Sequence, residues 1–223
     1  MSKLHAFGDS FTYGSDLQDC DNVNNEAPKG HSLCTWSALV AKDKSIDYIC
    51  YASPGETNQT IVRHFFNNIN SIDSNDLVVL NWTWINRWDF YNINDNKWES
   101  LRPDSTKSIF FKNYITYFQS ELWDKLETLK AINLVHSVLK NKKIKFIATC
   151  VDSLAFDTKW HCPEYIENLQ NNVKDDITWF NDMGFYDWAK ENNYKISDNW
   201  HPLEEAHNDA FKYINENSKI TQH

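Results

Sequence analysis

Apolar residues along this chain fall into two patterns, short unbroken runs and longer stretches spaced three and four apart. The runs at 3–7, 46–51, 76–82 and 144–148 predict strands. Leu77, Val78, Val79 and Leu80 follow one another directly, the mark of a strand buried on both faces. Helical spacing covers 33–44, 57–69, 113–139, 163–171, 185–192 and 203–217, with Thr57 placed to cap the second of these. A polar stretch over 16–30 reads as a loop. Residues 90–101 are polar and Asn-rich, with Trp98 beyond an Asn94-Asp95-Asn96 turn, and predict a small hairpin inserted near 88–103. Strands that alternate with helices imply an α/β fold, a parallel sheet covered on both faces. In such sheets ligands sit at the carboxyl ends of the strands.

Composition narrows the possibilities. A chain of 223 residues suits one domain, 1–223, with its own core. The net charge of −9 leaves no basic surplus to displace counterions, which argues against a nucleic-acid partner. The one lysine cluster, Lys140, Lys142, Lys143 and Lys145, falls at a predicted helix end, where cations are favoured. No targeting segment or membrane-spanning run is visible. Five cysteines, odd in number and without CxxC spacing, read as reduced thiols in a cytoplasmic setting. The Asn- and Lys-rich bias fits an AT-rich genome, of a kind found in viruses or marine organisms. Only five glycines are present, against about 7% in average proteins, so glycine is expected where the backbone needs it. Gly8, Gly14 and Gly55 are such positions.

Two segments could carry chemistry. Gly8-Asp9-Ser10-Phe11-Thr12-Tyr13-Gly14 directly follows the first strand, where a tight turn can present a serine hydroxyl at the mouth of the sheet. That hydroxyl is a poor nucleophile until a positioned base takes its proton. Asp198-Asn199-Trp200-His201-Pro202 precedes the last helix, and a carboxylate three residues before a histidine can orient its imidazole. Each motif alone is weak. The first could be a strand-to-loop turn with a capping serine, the second an Asp-capped turn with a surface histidine. Among the other histidines, His136 reads as helix packing, His207 as a helix-face residue and His223 as part of a fraying terminus.

Together the two segments resemble the way SGNH/GDSL hydrolases begin and end. The resemblance implies a three-layer α/β/α sandwich with a flavodoxin-like, mostly parallel sheet. It also implies Ser10 as nucleophile, His201 as general base and Asp198 as its orienting partner. The second family block fits Tyr51 to Asn58, so Gly55 would donate its backbone N–H to the oxyanion beside that of Ser10. Such a donor is worth about 10²–10³ in rate. The third block departs from the family's Gly-x-Asn-Asp: here the string is Leu80-Asn81-Trp82-Thr83-Trp84-Ile85-Asn86-Arg87. Asn81, Thr83 and Asn86 could each supply a polar donor, with Thr83 or Asn86 favoured, and Arg87 could complete the site instead.

Other residues read more plainly. Arg87 and Asp89 suggest a structural ion pair, or a carboxylate-binding group. Asn58 suggests a helix start more than a substrate contact. Trp82, Trp84, Trp88 and Trp200 divide between core and a stacking surface for a sugar or acyl chain. Asp152, His161 and Cys162 lack a convincing ligand set, so neither metal nor cofactor is expected. The expected activity is serine ester hydrolysis through an acyl-enzyme, on small or carbohydrate-linked esters such as O-acetyl groups, with no nucleic-acid or membrane partner. Two rivals stay open. One is a catalytically impaired binding module for a glycan or small molecule. The other is a flavodoxin-like cofactor binder, disfavoured because no GxGxxG or P-loop is present.

Overall fold

The computed structural model describes residues 2–20, 30–102, 109–160 and 162–218; His161 and His223 lie outside them. The strands are β1 (Lys3–Phe7), β2 (Asp47–Cys50), β3 (Leu77–Trp82), β4 (Trp88–Asn92), β5 (Lys97–Leu101) and β6 (Lys145–Cys150). The helices are α1 (Ser10–Tyr13), α2 (Trp36–Asp43), α3 (Asn58–Asn68), α4 (Ile109–Tyr117), α5 (Glu121–Asn141), α6 (Glu164–Val173), α7 (Phe185–Glu191) and α8 (Glu204–Asn217). Four strands form one wholly parallel sheet in the order β2-β1-β3-β6. A single parallel bridge, Ala148 to Ile177, extends its edge.

Successive side chains of a strand point to opposite faces, and the core is divided accordingly. Leu4, Ala6, Leu77, Val79 and Ile147 join Trp36 and Val40 of α2, Phe185 of α7 and Ala206, Ala210 and Ile214 of α8. Phe7, Val78, Leu80, Trp82, Phe146 and Ala148 face the other way, onto Ile61 and Phe65 of α3 and Ile132, Val135 and Leu139 of α5. Each large apolar side chain sealed in these layers contributes about 1.5–3 kcal/mol. The unbroken apolar run of β3 is thus explained: it is central and covered on both sides.

Helix starts follow local chemistry. Thr35 Oγ1 accepts the Ala38 N–H (3.3 Å), and Thr57 Oγ1 accepts that of Thr60 (3.1 Å). One expectation needs correction. The single helix read over 113–139 is two helices, because Ser120 turns extended and its hydroxyl accepts the Trp123 N–H (3.2 Å), starting α5 afresh. His136 does pack inside: its ring accepts the Trp82 indole N–H (3.3 Å) and faces Asp176 (3.2 Å), and burial lowers its basicity.

The Asn-rich stretch forms an antiparallel hairpin, β4 with β5, separate from the main sheet. Buried Asp89 ties it to α3, accepting from Thr57 (2.6 Å), Thr60 (2.7 Å), Arg63 (2.8 Å) and Ser100 (2.7 Å). Asp89 therefore pairs with Arg63 rather than with Arg87, contrary to the sequence reading. No described helix is long and apolar enough to cross a membrane.

Candidate active site

The chain leaves β1 through a turn that only glycine permits at its first position. A Cβ on Gly8 would lie 2.1 Å from Thr12 Oγ1 and 3.2 Å from the Asn81 carbonyl. Asp9 then caps the short helix α1, its Oδ1 accepting the Phe11 N–H (3.0 Å). Ser10 is the first residue of that helix, set at the carboxyl end of the central strands.

His201 arrives from the other end of the chain. Ile196 and Pro202 pair across a reversal, the Ser197 N–H donates to the His201 carbonyl (2.9 Å), and Trp200 adopts the left-handed conformation (φ 71°). The imidazole lies edge-on to Phe11, with 5.4 Å between ring centres, and its Nε2 stands 2.9 Å from Ser10 Oγ. Its Nδ1 stands 2.7 Å from Asp16 Oδ2. An N–H at Nδ1 donating to that carboxylate leaves Nε2 as the acceptor for the serine proton. Ser197 Oγ (2.6 Å) and Asn199 Nδ2 (3.2 Å) also donate to Asp16. Burial pushes the Asp16 carboxyl up, but the hydrogen bonds from His201, Ser197 and Asn199 outweigh it and hold the group below its ordinary value.

The carboxylate beside His201 is therefore Asp16 and not Asp198. Asp198 is exposed on the 197–201 reversal, where it lines the cleft. The imidazole faces the loop after α1, and Trp200 beside it is left-handed. Sequence reading missed Asp16 because it lies in a stretch rich in Asp and Asn, and the pairing spans 185 residues. The one available signal was its position just after Gly14, where α1 ends. His207, read as a helix-face residue, lies on the inward face of α8. It is sealed in the core, its Nδ1 accepts the Trp36 N–H (3.2 Å), and burial together with the nearby His201 pushes it down to about 3.

The cleft above Ser10 has a volume of about 760 Å³, and Gly55, Trp84, Asn86, Arg87, Arg102 and Trp200 share its lining with Ser10 and His201. Gly55 has φ +80°, which L side chains rarely adopt. Trp84 and Trp200 face the cleft, whereas Trp82 is core and Trp88 packs against Tyr114 and Trp123.

The third block resolves into structural and accessible groups. The Thr83 hydroxyl donates to Asp9 Oδ2 (2.5 Å), and its N–H donates to Asn58 Oδ1 (2.9 Å). Thr83 is buried, so the donor expected of it is already engaged. Arg87 Nη1 donates to Asp9 (2.9 Å), the Glu56 carbonyl (3.0 Å) and Thr83 Oγ1 (3.0 Å). Asn81 is buried behind the site and accepts from Thr149 (2.9 Å). Asn58, also buried, holds the Thr83 carbonyl and the Thr128 hydroxyl, both at 3.1 Å, and does not line the cleft above Ser10. Asn86 is exposed and lines the cleft.

Beyond the site, burial pushes the Asp152 carboxyl up to about 7, and Cys162 donates to Gln170 (3.5 Å). Among the described residues no group of three metal-ligating side chains converges.

No protein-family model and no curated protein matches the sequence. Solved structures do match, at low identity. A member of the lipolytic protein G-D-S-L family from Veillonella parvula DSM 2008 is 15% identical, with a TM-score of 0.52 and 97% of each chain covered. The psychrotrophic esterase EstA from Pseudoalteromonas sp., in a structure inhibited by monoethylphosphonate, is 10% identical, with a TM-score of 0.53 over 97% of this chain and 96% of that one. An acetyl xylan esterase, Est2A, from the rumen bacterium Butyrivibrio proteoclasticus is 16% identical, with a TM-score of 0.51 over 96% of this chain and 64% of that one. The chain thus has the fold of the solved G-D-S-L lipolytic proteins, the three-layer α/β/α arrangement of the SGNH hydrolases.

Proposed function

We propose that this chain is a serine esterase that cleaves carboxylic esters by two-step acyl transfer, with Ser10, His201 and Asp16 as its reacting unit. One observation carries the reading: Ser10 Oγ, His201 and Asp16 form a continuous hydrogen-bonded chain, 2.9 Å and then 2.7 Å, opening into a cleft. Nothing in a purely structural turn requires a serine hydroxyl, an imidazole and a carboxylate in that order.

Each step follows from those atoms. His201 Nε2 takes the Ser10 proton as Oγ attacks the ester carbonyl carbon, and the carbonyl electron pair moves to oxygen. Asp16, kept ionised by its three donors, stabilises the imidazolium that forms. Collapse of the tetrahedral adduct expels the alkoxide, which takes the proton from Nε2 and leaves as the alcohol. Water then attacks the acyl-enzyme, giving its proton to Nε2. The carboxylic acid departs, and the proton returns to Ser10. The backbone N–H groups of Ser10 and Gly55 are the assigned oxyanion donors.

For substrate, we favour small acyl groups such as O-acetyl on carbohydrate, which Trp84 and Trp200 suit as stacking surfaces along the cleft. The acetyl xylan esterase among the structural neighbours is in keeping with this choice.

The test is labelling by a fluorophosphonate probe, followed by turnover of p-nitrophenyl esters of rising acyl length and of acetylated xylan. Labelling that is lost in Ser10→Ala, with acetyl preferred over longer chains, is expected. A folded wild type that takes no label points instead to a binding module that keeps the fold without the chemistry.

A further inference from the structure

Ser197 opens the reversal that carries His201, and locally it is an ordinary turn former. Its Oγ accepts the N–H of Asn199 and the N–H of His201, both at 3.2 Å. A hydroxyl has two acceptor positions and one proton. Both acceptor positions are met by backbone donors, so only the proton is left to place. It goes to Asp16: Ser197 Oγ stands 2.6 Å from Asp16 Oδ2, a short bond to an ionised acceptor. The two N–H groups that donate into Oγ also polarise its own O–H, which strengthens that bond.

These contacts close a ring. Ser197 Oγ holds Asp16 Oδ2 (2.6 Å), Asp16 Oδ2 holds His201 Nδ1 (2.7 Å), and the His201 N–H returns to Ser197 Oγ (3.2 Å). The Ser197 N–H adds a bond to the His201 carbonyl (2.9 Å). His201 is thus fixed at its backbone and at Nδ1, with Nε2 left to point at Ser10 Oγ. Asn199 adds less, since its Nδ2 reaches Asp16 only at 3.2 and 3.3 Å from an exposed position. Ser197 does not line the cleft above Ser10, so any influence on turnover passes through Asp16 and His201.

We infer that Ser197 is a positioning residue for the proposed reaction, its hydroxyl locking the Asp16 carboxylate and the His201 backbone into one unit aimed at Ser10. This rests on the acyl-transfer reading above. A misplacement of about 1 Å at reacting groups can cost about 10²-fold. Loss of the hydroxyl leaves the Asn199 and backbone bonds in place, so its effect on kcat is set at about 10- to 100-fold.

The experiment measures kcat and KM for p-nitrophenyl acetate, and the rate of fluorophosphonate labelling, in the full chain. It compares wild type, Ser197→Ala, Ser197→Thr, Asp16→Ala and the double variant Ser197→Ala with Asp16→Ala, with thermal melting as the folding control. Ser197→Ala should lower kcat about 10- to 100-fold while KM stays within about twofold. Ser197→Thr keeps a hydroxyl and should stay within about threefold of wild type. On the Asp16→Ala background, Ser197→Ala should cost less than about threefold, because the carboxylate it acts through is gone. Ser197→Cys, close in size but a weak donor, supplies the same readouts if the Ala variant does not fold. A folded Ser197→Ala within about threefold of wild type overturns the inference and leaves the esterase reading intact. A double variant that loses the full product of the two single effects overturns it as well, as does a Thr variant no better than Ala. A wild type that neither labels nor turns over sinks the acyl-transfer reading and the inference with it.

Discussion

Asp9 and Asp16 flank the same single turn of helix, yet they occupy opposite environments. Asp9 is wholly buried and knotted to the backbone of α1, the Thr83 hydroxyl and the Arg87 guanidinium. Asp16 lies in the loop after α1, partly accessible, and its partners are His201, Ser197 and Asn199. The first carboxylate has a permanent cation beside it and no route to substrate. The second faces the imidazole that, in the proposed reaction, would take the Ser10 proton. Asp9 holds the turn that carries Ser10 in place, and Asp16 is the carboxylate that would, in the proposed reaction, answer a charge on His201. Type and proximity to Ser10 do not separate the two; the cation does.

That division can be broken by substitution. Ser10→Ala should remove about 10⁵–10⁶ in kcat while leaving the fold intact, because the hydroxyl is the group attacked through. Steady-state turnover with melting as control checks it. Asp16→Asn should lower kcat about 10⁴-fold, since an amide favours the wrong tautomer of His201, whereas Asp198→Asn should stay within about threefold. A reversed ranking, with Asp198→Asn the damaging change, would return the orienting role to the carboxylate named from sequence. Asp9→Ala should act on stability instead, costing about 3–5 kcal/mol in urea unfolding, because it strands Arg87 as an unpaired, largely buried charge. A folded, stable Asp9→Ala with activity lost would show the knot to be chemical after all.

A smaller effect lies in pH. Glu56, next to Gly55, is pushed up to about 8, first by burial and further by the negative charges of Asp9 and Asp89. His64 Nε2 stands 3.6 Å away, beyond hydrogen-bonding reach. In the folded chain this carboxyl keeps its proton up to about pH 8, whereas the unfolded chain releases it near its ordinary value. Stability should therefore fall as pH rises between those limits, and Glu56→Gln should flatten that slope in urea titrations. Asp16 has the opposite sign. Its folded value is lowered, so its contribution is present above the ordinary carboxylate range and lost as pH drops through the folded value.

Much of the scaffold was readable from the amino-acid pattern. The apolar run 76–82 is the central strand, and the Asn-rich stretch is a hairpin, because strand burial and turn chemistry are written in neighbouring residues. The break at Ser120 was harder. Apolar spacing continues through it, and only one capping hydroxyl interrupts a pattern that otherwise favours helix. Ser197 reads locally as a turn former, and nothing in its neighbours says that its proton goes to Asp16.

The sequence by itself determined that Ser10 follows the first strand and His201 precedes the last helix, because glycine placement and strand ends dictate where a parallel sheet presents side chains. Only the tertiary structure decided which carboxylate meets the imidazole, which third-block groups are engaged, and where the Ser197 hydroxyl places its proton. Hydrogen bonds form between atoms brought together by the whole fold, and the fold sets His201 Nδ1 against Asp16, 185 residues away in the chain, rather than against its sequence neighbour Asp198.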